Sequence, residues 1–143
     1  MKDQNCGYCT KKTELLDPFG IYICDLDASV VVLFKEQSHP GRCIVAYKEH
    51  KSEMVELTDE ERNAFFADLN RVAKAIHAIF HPDKINYGAY GDSSGHMHFH
   101  LVPKYKDQFE WNGVFQMNPQ QTFLSEAEYA EIIQKIKDQL ANG

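Results

Sequence analysis

The chain has 143 residues, 43% of them apolar and 25% charged, and a formal net charge of −6. That is the size and balance of one globular domain with a core of its own. The acidic balance argues against broad binding to nucleic acid or to an anionic membrane, and it leaves room for a local basic pocket that takes a small phosphate compound.

The first residues, "MKDQNCGYCTKK", have no apolar core and do not read as a signal peptide. No window approaches the roughly 20 apolar residues of a membrane span. The expected location is the cytoplasm, where structural disulfides are disfavoured. Of the four cysteines, Cys6 and Cys9 form a CxxC pair in an N-terminal segment over residues 1–12. That spacing suits a zinc knuckle or a redox pair. Cys24 and Cys43 fall in apolar, strand-like runs and are expected as small buried core residues.

Ile21–Asp25 and Ser29–Lys35 read as two strands joined by a short turn. "EQSHPGR", Glu36 to Arg42, carries Pro and Gly and reads as a loop, with His39 expected to face solvent. Cys43–Lys48 is the next strand. In "LTDEERNAFFADLNRVAKAIHAIFHP", Thr58 and Glu61 form a capping box. Phe65, Phe66, Leu69, Val72, Ala73, Ile76 and Ile79 recur at helical spacing, and Pro82 ends the run. His77 and His81 lie at the helix C-terminus, where polar or cationic groups are favourable, and are given no chemistry. Lys84–Tyr90 reads as a strand and "GDSSG", Gly91 to Gly95, as a tight loop.

His96–Tyr105 reads as a strand that opens "HMHFH". Alternation places His96, His98 and His100 on one face and Met97, Phe99 and Leu101 on the other. The outer imidazoles start roughly 13 Å apart, too far to share one metal that bonds its ligands at about 2 Å. The three therefore have different jobs; the plainer alternative is a half-buried strand with a solvated histidine face. "KDQFEWNGVFQMNPQQTF" is irregular and aromatic. Its Phe109, Trp111 and Phe115 suit a pocket wall, a dimer interface or a satellite core. A helix from about Ser125 to Leu140 follows, with Ser125 and Glu128 as a second capping box. The order β-β-β-α-β-β-α with short joins predicts an α+β fold: an antiparallel sheet of about five strands, one long helix and a C-terminal helix.

"GHMHFHLV" matches the histidine-triad signature, and the chain resembles the histidine-triad (HIT) family of nucleotide hydrolases and transferases. The likeness runs from the CxxC through "GRCIVAYKEH" and the long helix to "NYGAYGDSSGHMHFHLVPKY". It implies a single HIT-like domain over residues 1–143, with the triad strand and phosphate loop in 86–103. It also implies a homodimer and a nucleotide-like small-molecule substrate. His98 would attack the α-phosphate and carry a covalent nucleotidyl group. His100 and Ser93 would meet the phosphate oxygens and the leaving group. The backbone amides of Ser93, Ser94 and Gly95 would add donors, and Asn86 would lie near the sugar-phosphate. Arg42 stands where many members have a further histidine and is suited to bidentate phosphate binding. Glu36, beside Lys35, stands near the family's ribose-binding acid and is the candidate substitute. In zinc-bearing members a CxxC, a downstream histidine and the first triad histidine hold the metal. Here those are Cys6, Cys9, His50 and His96, a closed Cys₂His₂ set of the structural kind, one zinc per chain. The rival for this group is a free dithiol. At the level of function, the rivals are a nucleotide-binding module with a structural zinc but little turnover, and a metal-storage or redox protein.

Overall fold

The computed structural model describes residues 3–11, 13–16 and 18–142; residues 1, 2 and 12 of the expected N-terminal segment, and residue 143, lie outside them. Two short helices, α1 (Gly7–Thr10) and α2 (Thr13–Leu16), precede β1 (Gly20–Asp25), β2 (Ser29–Phe34) and β3 (Cys43–Tyr47). Helix α3 (Asp59–Phe80) leads to β4 (Lys84–Ala89) and β5 (His98–Lys104), and α4 (Glu126–Asn142) closes the chain. The five strands form one antiparallel sheet in the order β1-β2-β3-β5-β4. This is the expected α+β architecture. The strands and helices fall within two residues of their expected limits, the largest shifts being β5, which begins two residues late at His98, and α4, which runs two residues further to Asn142. Helices α1 and α2 carried no recognised sequence signal.

Both capping boxes form. Thr58 Oγ1 accepts from the Glu61 amide at 3.1 Å, and Glu61 Oε1 accepts from the Thr58 amide at 2.8 Å. Ser125 and Glu128 make the same exchange at 3.1 and 2.9 Å. Satisfying these amides fixes where each helix begins. Helix α3 ends at His81, which takes a left-handed φ of 49° before Pro82.

Strand alternation gives the sheet two different faces. Val31, Leu33, Cys43, Val45, Ile85 and Leu101 meet Phe65, Leu69, Val72 and Ile76 of α3 and Tyr129, Ile136 and Leu140 of α4. Val30, Val32, Phe34, Ile44 and Ala46 face the other way, under Cys6, Tyr8, Cys9 and Leu16 of the N-terminal cover. Covering on both faces makes β2 and β3 buried at every position. Two apolar expectations shift. Phe66 sits on the flank of α3, 46% exposed, edge-on to Phe99. Cys24 is only half-buried, at the rim of the core, while Cys43 is fully inside.

The irregular segment 105–124 is strapped across the sheet end by buried polar side chains. Lys104 donates to the Glu110 and Gly113 carbonyls, both at 2.7 Å. His39 Nε2 donates to Glu110 Oε1 at 2.7 Å. Glu36 Oε2 accepts from the Gln121 and Thr122 amides at 2.9 and 2.7 Å. The loop 36–42 is thus an anchor rather than a solvated turn. His39 is 2% exposed, which corrects its expected solvent position.

Candidate functional site

A cavity of about 510 Å³ opens on the covered face of the sheet, a size typical of small-ligand sites. His98, His100, Ser93, Ser94 and Gly91 line one side. Tyr8, Phe19, Phe34 and Ile44 form an apolar wall, and Tyr90, Asp92, Met117 and Asn118 complete the rim.

Each imidazole has its tautomer set by what its other nitrogen meets. His96 Nε2 donates to the Tyr47 carbonyl at 2.6 Å, which leaves Nδ1 as a lone pair. That Nδ1 lies 3.3 Å from Cys6 Sγ, 3.4 Å from Cys9 Sγ and 3.1 Å from His50 Nδ1. His98 Nδ1 donates to the His96 carbonyl at 2.8 Å, so its Nε2 keeps a lone pair. His100 Nδ1 accepts from Arg42 Nη2 at 3.1 Å, so its proton is on Nε2. Burial, against the His96 carbonyl bond, pushes His98 below the usual histidine range. Burial, then Arg42 and His98, push His100 down to about 3. Both are neutral at pH 7. The alternation holds across the triad: Met97 and Leu101 lie in the core beneath α3 and α4 with Phe99 packed against it, while the His96 and His98 rings both pack on Tyr8 on the covered face, at 5.4 and 4.9 Å. Only the strand limit differs, since β5 begins at His98 and Met97 N–H donates to Lys51 O at 2.7 Å just before it.

Cys6, Cys9, His50 and His96 converge, their ligand atoms all within 4.8 Å of one another. Two sulfurs and two imidazole nitrogens suit a divalent metal of intermediate softness. The outer shell also fits. Tyr47 orients His96, and Asp3 Oδ2 stands 3.9 Å from His50 Nε2, the carboxylate–histidine arrangement that supports metal ligands. Burial pushes the Cys6 thiol up, which a cation among these ligands would reverse.

The loop from Gly91 to Gly95 needs its glycines, at φ 85° and 60°. Its backbone closes through the Gly95 amide to the Gly91 carbonyl at 3.1 Å. That corrects one expected phosphate donor, because the Gly95 N–H is already used. Ser94 Oγ accepts from the His96 amide and donates to its carbonyl, each at 3.3 Å. At Gly88, paired with His100, a Cβ would come within 2.8 Å of the Tyr90 ring and 2.9 Å of the Phe115 ring. Glycine there leaves room for both rings, which pack on each other at 6.2 Å while Phe115 packs on His100 at 6.0 Å.

Three further expectations are corrected. Glu36 does not line the cavity. Its carboxylate is taken by Ser38, Gln121 and Thr122, and these bonds outweigh burial to lower its pKa. Arg42 does not line the cavity. It is fully buried, donates to the Gln116 and Met117 carbonyls at 3.0 Å each, and lies 4.0 Å from the Phe34 ring centre. Among the described residues its Nε has no hydrogen-bond partner, a cost of about 1–3 kcal/mol. Asn86 shares the face of His100 but lies one same-face step beyond Gly88 along β4, lining a separate cavity of about 270 Å³ with Lys84, Lys104 and Trp111.

The sequence reading missed Tyr8. It stands between the two cysteines, 4% exposed, with its ring 4.9 Å from that of His98 and 5.4 Å from that of His96. The CxxC spacing that drew attention to its neighbours was the available signal. Phe19, Phe34, Met117 and Asn118 carried none, being ordinary residues that only tertiary packing brings to the cavity.

Among solved structures, a histidine triad protein from Sinorhizobium meliloti 1021 superposes with a TM-score of 0.80 at 23% identity, covering 88% of this chain and 93% of that one. A hypothetical histidine triad nucleotide-binding protein from Sulfolobus tokodaii strain7 gives 0.71 at 18% identity over 96% and 93%. A zinc-bound histidine triad family protein from Mycobacterium smegmatis gives 0.64 at 19% identity over 96% and 94%. No curated protein matches the chain. The family model of the HIT domain matches residues 20–107, from the first residue of β1 past the last of β5, and the chain belongs to the HIT domain family.

Proposed function

We propose that the protein is a nucleotide hydrolase or nucleotidyl transferase that acts at the α-phosphate of a nucleotide conjugate through a covalent intermediate on His98. The observation that carries the reading is the His98 ring. Its Nδ1 proton is held by the His96 carbonyl, and its Nε2 lone pair belongs to a cavity lined by His100 and Ser93. A neutral, oriented imidazole is a competent nucleophile at neutral pH. The developing positive charge at Nδ1 is met by an oriented carbonyl dipole. His100 Nε2–H and the Ser93 hydroxyl supply donors for the phosphoryl oxygens, where transition-state charge concentrates. The apolar wall of Tyr8, Phe19, Phe34 and Ile44 suits a nucleobase. With Glu36 tied into the strap, Asp92 and Asn118 are the cavity groups left to meet ribose hydroxyls.

Cys6, Cys9, His50 and His96 would hold a structural zinc. The ion would pin the cover and Tyr8 beside the nucleophile and take no part in the reaction. The same reading carries the expectation of a homodimer; light scattering that returns only the monomer mass counts against it.

The test is turnover of adenosine 5′-phosphoramidate and diadenosine triphosphate by the protein and by His98→Asn. The expected result is hydrolysis of at least one compound, reduced on the order of 10³-fold or more in the variant, with a nucleotidyl adduct in the intact mass of rapidly quenched wild type. Equal activity in both proteins refutes the nucleophile. Tight nucleotide binding without turnover moves the protein to the binding-module reading.

A further inference from the structure

We propose that Arg42 is a positioning residue that holds His100 as a neutral imidazole with its proton on Nε2, and that the site therefore favours leaving groups that depart as anions, phosphate or a nucleotide phosphate, over amines. The second half rests on the nucleotidyl-transfer reading above; the first rests on geometry alone.

A guanidinium donates and never accepts. With Arg42 Nη2 3.1 Å from His100 Nδ1, that nitrogen is the acceptor and the ring proton is on Nε2. A second proton on Nδ1 would set N–H against N–H and place two cations side by side in a buried site. Burial favours the neutral ring as well. Arg42 is not free to swing aside. Nη1 is held by the Gln116 carbonyl and Nη2 by that of Met117, and the guanidinium lies against the rings of Phe34 and Phe115 at 4.0 and 5.0 Å. All three hydrogen bonds go to uncharged acceptors. A buried arginine held this way, with Nε left over, is a poor stabilising device, but it is a permanent barrier to protonation of His100.

A neutral imidazole can donate a hydrogen bond through Nε2–H but is too weak an acid to release that proton to a leaving group. The remaining polar groups of the cavity are hydroxyls of Tyr8, Tyr90, Ser93 and Ser94, the exposed Asp92 carboxyl and the Asn118 amide; none is a cationic acid. In the step so defined, His98 Nε2 forms a bond to the α-phosphorus. The bond to the leaving oxygen breaks and its electron pair stays on that oxygen, stabilised by His100 Nε2–H. Water then attacks phosphorus, the phosphorus–nitrogen bond breaks, its pair returns to His98 Nε2, and the water proton passes to solvent. No proton donor is required when the leaving group is a phosphate. An amine has to acquire a proton to leave.

The test has two arms on the metal-loaded protein. In the first, ¹⁵N-histidine NMR, with the His100 signals identified through His100→Gln, reads the tautomer of the intact site. The Nε2–H form from pH 6 to 8 is expected; an Nδ1–H form or an imidazolium overturns the role of Arg42. In the second, kcat/KM for diadenosine triphosphate is expected to exceed that for adenosine 5′-phosphoramidate by about 10²-fold, the low end of what a general acid supplies. In Arg42→Met that ratio is expected to narrow and His100 to become protonatable. Arg42→Lys, which keeps a charge but cannot span three acceptors, is expected to fall between. A ratio at or below one in the wild type overturns the leaving-group assignment. If neither compound is turned over, that assignment falls with the functional reading, while the NMR arm still decides the Arg42–His100 contact.

Discussion

Stripping the zinc proposed at Cys6, Cys9, His50 and His96 should undock the N-terminal cover while the rest of the fold persists. The cover buries Tyr8 and Leu16 nearly completely and Phe19 in part, and such side chains contribute ~1.5–3 kcal/mol each. Fixing the backbone of roughly 14 residues, from Cys6 to Phe19, costs about 14–28 kcal/mol. Apolar contact therefore covers less than half of the ordering cost. A structural zinc site contributes ~10–16 kcal/mol, which is the size of the shortfall. The larger core beneath α3 and α4 shares no residue with the cover and should not feel the loss. Hydrogen exchange read by mass spectrometry separates these outcomes. With metal, the Thr10 and Lys11 amides, bonded to the Cys6 and Gly7 carbonyls at 3.1 and 2.7 Å, should be protected. After chelation, peptides from the cover should exchange at coil rates, while those from β2 and α3 stay slow. A cover that remains protected in chelator, or a sheet that unfolds with it, would refute the division of energy argued here.

Three of the four buried histidines set a pH dependence. His39, His98 and His100 are all lowered, with burial the largest cause in each, so each takes up a proton on unfolding. Stability they contribute is present above the unfolded value, about 6.5, and is lost as pH falls below it, by about 1.4 kcal/mol per pH unit for each histidine still neutral in the fold. Urea midpoints that stay level from pH 7 to 5 would contradict this. Glu36 adds a second, more acidic loss. Its lowered pKa gives stability present above about 4.3 and lost as pH falls through its folded value. Glu36→Ala should cost ~1–3 kcal/mol by orphaning the Gln121 and Thr122 amides, and an unchanged melting temperature would show that the strap holds without them. Tyr8→Phe should leave nucleotide affinity within about twofold, because packing on His98 is retained. Tyr8→Ala should weaken affinity and cost ~3 kcal/mol; equal affinity in the two variants, measured by calorimetry, would remove Tyr8 from the binding wall.

What could be read from the sequence was local. Thr58, Glu61, Ser125 and Glu128 fix their helix starts through contacts three residues away, and the short continuous apolar, β-branched runs in "SVVVLFK" and "RCIVAYK" mark strands whatever their partners. The metal cluster was readable through the family resemblance, which joined the CxxC to His50 and His96; the CxxC spacing alone left zinc and a redox pair open. The failures share one cause. Glu36 and Arg42 were placed near a ligand by their positions in the family's pattern, and His39 in solvent because a Pro- and Gly-bearing loop is ordinarily exposed. Their partners lie 58 to 86 residues away, mostly in a segment without periodicity, so no local pattern could pair them. Three titratable residues in seven positions are rarely spent on structure alone. Here they close the open end of the sheet with polar bonds where the apolar supply of β2 and β3 runs out. Their strap places Met117 and Asn118 on the cavity rim, and Arg42 joins that strap to His100. Structure and chemistry therefore cannot be assigned to separate residues in this loop: a change at position 42 alters the cavity wall and the proton inventory of the site together. That is why the experiments on it read tautomer and leaving-group preference rather than activity alone.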